Sequence, residues 1–90
     1  MDLEAKLKAR VDELKSQLTP LRLRTLLPGA PPGVGGEIDQ IQHVLGMERA
    51  AIGLNASTGQ LDEKSVNKAL SDHAKAITRI DRLPRDGKKS

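Results

Sequence analysis

The sequence contains no cysteine, phenylalanine, tyrosine or tryptophan. Without cysteine there is no disulfide, no thiolate zinc site and no cysteine nucleophile, and the cross-links typical of small secreted domains are missing. Without aromatic rings the core must be built from Leu, Ile, Val, Met and Ala, which suits narrow helix-on-helix seams. No run approaches the roughly 20 apolar residues that span a membrane, so no membrane partner is expected. No basic start followed by an apolar run suggests a secretory signal, and the expected location is cytoplasmic. A chain of 90 residues holds one domain at most, with a modest core.

Net charge is +3, and it is unevenly distributed. Positive and negative residues balance over 1–19. Glu37, Asp39 and Glu48 outnumber Arg49 over 37–61. The surplus of positive charge falls on Arg22 and Arg24 and on Arg85, Lys88 and Lys89 of a basic tail, 84–90, expected to be flexible. Neither is a block of like charge, and a basic isoelectric point alone argues weakly for nucleic-acid binding.

Leu3, Leu7, Val11, Leu14, Leu18 and Leu21 recur at spacings of four and three, the signature of one helical face. Asp2 is placed to cap this helix, and Glu4 precedes Lys8 in the favourable order. Thr19-Pro20 predicts a kink or a fresh start, because proline lacks the backbone donor and crowds the preceding turn. The N-terminal helix is therefore expected over about 2–27 with a proline kink. Three prolines and four glycines over 28–36 predict a loop.

A second helix is expected over about 37–55. Its apolar arc includes Ile38, Ile41, Val44, Leu45, Met47, Ala51, Ile52 and Leu54, wider than one seam requires. Gly46, Ala50 and Gly53 form a small-residue stripe beside it, which suggests close packing or local mobility. A turn at 55–60 leads to a third helix over about 62–83, capped by Asp62, with a staple-like pair at Leu61 and Val66. Val66, Leu70, His73, Ile77 and Ile80 make its seam, and Pro84 should end it. The fold class read from this pattern is all-α: an antiparallel helical hairpin plus the kinked N-terminal helix, one domain over 1–83, packed as a small bundle or an intertwined oligomer.

Glu48 and His73 are polar residues at apolar seam positions. An unpaired buried carboxylate is costly, so the two are candidates to pair in the core. Otherwise His73 would fix register by one hydrogen bond and Glu48 would meet solvent or an oligomer groove. Asp39 and His43 share a helix face, but a metal site needs further ligands and none is expected. Gly33, Gly35 and Gly36 precede a helix start whose amides could hold an anion, supplemented by Arg22 and Arg24. The stretch lacks the Gly-Lys-Ser/Thr of a phosphate loop and reads first as a flexible connector. Asn55-Ala56-Ser57 matches a glycosylation sequon and reads as a turn.

No serine, histidine or carboxylate arrangement supplies a nucleophile with its base, so a non-enzyme without a cofactor is expected. Apolar surplus on a small domain marks an interface. Leu23, Leu26, Leu27, Val44, Met47, Ala51 and Leu54 are the expected interface residues. The expected function is a self-associating helical interaction protein: an adaptor, a structural component or a stoichiometric inhibitor of another protein. The alternative is a binder of anionic ligands, nucleotide or nucleic acid, at a helix N-terminus or subunit interface.

Overall fold

A computed structural model of the chain describes residues 2–83; the basic tail and the stop at Pro84 lie outside the described residues. Three helices are present and, among the described residues, no strand: α1 Leu3–Arg24, α2 Val34–Thr58 and α3 Glu63–Asp81. They pack as a small bundle, in keeping with the all-α reading.

α1 forms because its apolar residues line a single seam. Leu7, Val11, Leu14, Leu18 and Leu21 are all buried. The Asp2 carboxylate accepts from the Ala5 amide at 2.7 Å, satisfying one of the orphan donors of the first turn. The Lys8 ammonium donates to Glu4 at 2.7 Å. The fresh start expected at Thr19-Pro20 does not occur: Pro20 lies inside one continuous helix. Leu18 and Leu21, buried on either side of it, hold the seam in register. Pro20 itself is exposed, so water can serve the Ser16 carbonyl that it leaves without an amide donor. The helix ends at Arg24 rather than near residue 27, and residues 25–27 continue as tight turns, Leu26 and Leu27 donating three residues back.

α2 is longer at both ends than its sequence suggests. Gly33 adopts a left-handed φ of 82° as the N-cap, so Val34, Gly35 and Gly36 enter the first turn instead of staying in the loop. At the other end Gly59 is left-handed, with φ 76°. Its amide donates to Ala56 and that of Gln60 to Asn55, the paired bonds of a Schellman end. The helix therefore runs through the sequon to Thr58.

α3 begins where Asp62 accepts from the Lys64 amide and the Ser65 hydroxyl. Val66, Leu70, Ile77 and Ile80 are buried, and Leu61 packs against the core.

Ion pairs fix the relative directions. Lys6 approaches Glu63 and Arg24 meets Asp81, so α1 and α3 run parallel. Arg22 with Asp39 and Arg49 with Asp12 run in opposite order, so α2 is antiparallel to α1. Glu37 with Arg79 joins the start of α2 to the end of α3. The bundle is thus up-down-up. α1 packs extensively on both partners, whereas α2 and α3 approach each other closely at few points. The hairpin of α2 and α3 is the weakest of the three pairings.

Two predictions follow from this local chemistry. Pro20→Ala should restore a helical hydrogen bond on an exposed face and stabilise the protein by about 1–3 kcal/mol, read as a higher urea midpoint at unchanged slope. The Ser65 hydroxyl, with the Ser65 and Lys64 amides, holds the Asp62 carboxyl below its ordinary pKa. A carboxylate depressed in this way contributes stability above its unfolded pKa, and the contribution is lost as pH falls through the folded value. Protection of the amides at the start of α3, taken relative to their intrinsic exchange rates, should therefore fall at acidic pH, and Asp62→Asn should remove that step.

Candidate functional site

The outward side of α2 carries few charges. Between Gln40 and Gln60 the only aspartate, glutamate, lysine or arginine residues are Glu48 and Arg49. Arg49 turns towards α1, where its Nε meets Asp12 at 2.9 Å. Gly53 also faces α1; a Cβ added there would lie 3.2 Å from the Lys8 Nζ. On the opposite flank, at helical spacing, lie Val44, Glu48, Ala51 and Asn55, all half-buried. Beyond them Met47 is 60% exposed and Leu54 65% exposed.

α3 contributes the facing wall. Glu63 and Asp81 point to α1 through their ion pairs, which leaves Ala69, His73 and Ala76 on the flank away from α1, again half-buried. The seam between α2 and α3 is thus bordered by three alanines, a valine and three polar residues. Alanine side chains are too short to bridge two helices at ordinary separation, which accounts for the sparse contact there.

Glu48 and His73 both border this seam. Among the described residues no polar or charged residue is buried, and no hydrogen bond or ion pair joins these two. The expected buried pair is therefore replaced by two half-exposed groups that water can reach. The seven expected interface residues divide between elements. Val44, Met47, Ala51 and Leu54 share one side of α2. Leu23 projects from the last turn of α1, and Leu26 and Leu27 lie in the turns after it, with Leu26 73% exposed.

The expected anion-binding residues are brought together only in part. Arg22 reaches the start of α2: its Nη1 would lie 3.2 Å from a Cβ at Gly35, and it donates to Thr25 at 3.0 Å. It is already engaged by a carboxylate, with Nε 3.0 Å from Asp39. Arg24 turns to α3 instead, where it meets Asp81 at 2.7 Å. Gly33 and Gly36 border open space. Asp39, held by Arg22, stands beside an exposed His43, and no cluster of three or more candidate metal ligands forms among the described residues. Among the described residues no helix is long and apolar enough to cross a membrane.

The small-residue stripe also divides. Gly53 lies under the Lys8 and Glu4 side chains, while a Cβ at Gly46 would meet nothing within 4 Å. Gly46→Ala should therefore stabilise the monomer by about 0.5–1 kcal/mol through helix propensity. Gly53→Ala should gain less, because Lys8 must move. Urea unfolding at low protein concentration distinguishes the two.

Searches of protein-family models, curated proteins and solved structures found no match to this chain.

Proposed function

We propose that the protein is a non-catalytic interaction module that associates with a second copy of itself through the outward side of α2. The supporting observation is the uncharged stripe of Val44, Met47, Ala51 and Leu54 on a chain of which 30% is charged. Two bulky exposed side chains stand beside a shallow seam edged by Ala51, Ala69 and Ala76. Such a surface is self-complementary: Met47 and Leu54 of one copy fit the alanine-lined seam of another, in the helix-in-groove manner. A two-fold arrangement uses the same patch on both copies and closes on itself. Burying a Met or Leu side chain contributes about 1.5–3 kcal/mol each, and a two-fold contact counts each residue twice. A heterologous partner would be expected to find several charges to select it, and beside this stripe only Glu48 is available.

Sedimentation equilibrium should give a dimer or larger assembly for the natural sequence. Met47→Glu combined with Leu54→Glu should give a monomer of unchanged helicity, since substitutions at exposed positions cost a monomer about 0.5 kcal/mol or less each. A natural sequence that stays monomeric at the highest soluble concentration overturns the proposal. So does a double variant that associates as tightly as its parent.

A further inference from the structure

The outward face of α3 carries a second, chemically opposite surface. Lys64, Lys68, Lys75, Arg79 and Arg82 are spaced four, seven, four and three residues apart, so they share one side of the helix. All five are exposed. At about 1.5 Å per residue they mark out a straight row of roughly 27 Å. Asn67, Ser71 and Thr78 lie along the same side and add neutral hydrogen-bond donors. Ser71, Lys75, Thr78, Arg79 and Arg82, with Ala74 and Leu83, line a shallow, open depression near the end of the helix.

The acids of α3 are largely turned away from this row. Asp62 is occupied in the cap, and Glu63 and Asp81 pair with Lys6 and Arg24 of α1. Asp72 is the exception, 4.0 Å from Lys68 with both side chains well exposed. Arg79 shares its charge with Glu37. Lys64, Lys75 and Arg82 meet no carboxylate among the described residues.

We propose that this face binds double-stranded nucleic acid along its phosphate backbone, without reading sequence. Straight rows of cations interspersed with hydroxyl and amide donors match the contacts made to phosphate oxygens. A rigid duplex suits a rigid row, and the absence of aromatic residues removes the stacking on which single-strand binding relies. A lipid surface is disfavoured, because an interfacial helix inserts large apolar side chains and between Lys64 and Arg82 this side of α3 exposes none. The surface is separate from the α2 stripe, so the proposal stands without the self-association one.

The test is fluorescence anisotropy of the full chain with a labelled random-sequence DNA duplex, titrated over a range of salt. Binding should weaken steeply with salt, with a log–log slope of about −3 to −4.5 for three to five phosphate contacts. Lys68→Gln, Lys75→Gln and Arg82→Gln together should weaken binding roughly tenfold or more at low salt and flatten the slope by about 2 to 3. All three residues are exposed, and circular dichroism should show the fold retained. Lys8→Gln, Arg10→Gln and Lys15→Gln together remove equal charge from α1 without touching an ion pair to α3 and should have a much smaller effect. Four outcomes overturn the proposal: no duplex binding at low salt; equal losses in both triple variants; preference for a single strand of the same length; or binding to phosphatidylserine vesicles without binding to the duplex.

Discussion

The structure depends on the seam of α1. Leu7, Val11, Leu14, Leu18 and Leu21 are the surface on which both other helices rest, and α2 and α3 have no comparable contact with each other. Absence of aromatic residues sharpens this dependence. A ring reaching across from α2 or α3 could have filled the third side of the bundle; the residues available there are Ala51, Ala69 and Ala76, with Glu48 and His73 between them. The core is consequently a two-sided contact around one helix, and the third side remains shallow. The openness of that seam and the exposed leucine and methionine beside it are two consequences of the same shortage of side-chain volume.

Ion pairs then determine which of several bundle topologies this seam adopts. Each pair between helices is at the surface and contributes modestly on its own. Their order along the chain carries more information than their strength. Lys6 with Glu63 and Arg24 with Asp81 hold only if α1 and α3 run parallel; Asp12 with Arg49 and Arg22 with Asp39 hold only if α2 runs back between them. Reversing α2 would set Asp12 against Asp39 and Arg22 against Arg49, like charge against like; reversing α3 would still set Lys6 and Arg24 against acids. Burial drives association of the helices, and charge selects the direction of α2 against α1.

Much of this was legible in the residues. The three seams, the caps at Asp2 and Asp62 and the Glu4–Lys8 pair depend on local spacing, and the structure places them as the spacing indicates. The differences arise where tertiary contacts override a local signal. Pro20 costs one hydrogen bond, and the burial of Leu18 and Leu21 on either side outweighs it. Gly35 and Gly36 disfavour a helix, yet the positive φ of Gly33 and the burial of Val34 and Ile38 start α2 ahead of them. Glu48 and His73 occupy seam positions by periodicity, but periodicity gives an angle around one helix and says nothing of how closely the neighbour approaches. Their half-exposed state depends on the alanines opposite, a relation between two helices that neither helix's sequence contains. The row of cations on α3 was not singled out by its sequence, because acids at Asp62, Glu63, Asp72 and Asp81 are set among them; the fold adds the fate of those acids.

That fate connects the topology to the surfaces. α3 has a mixed sequence, with acids at Asp62, Glu63, Asp72 and Asp81 set among its lysines and arginines. Read alone, it looks evenly charged. The cap takes Asp62, and the parallel alignment with α1 takes Glu63 at one end and Asp81 at the other. The contacts that Glu63 and Asp81 make with α1 are therefore the ones that leave the outer side of α3 positive. In α2 the same sorting acts on a chain with few charges: Arg49 is drawn to Asp12 and Glu37 to Arg79, and the central turns keep Glu48 alone at the edge of the outer side. The bundle thus presents one neutral, apolar side and one cationic side because its charged residues are arranged to satisfy each other across the helix pairs first. A different register would blur both surfaces at once, so the alignment of the helices and the chemistry of the faces are a single property of this sequence.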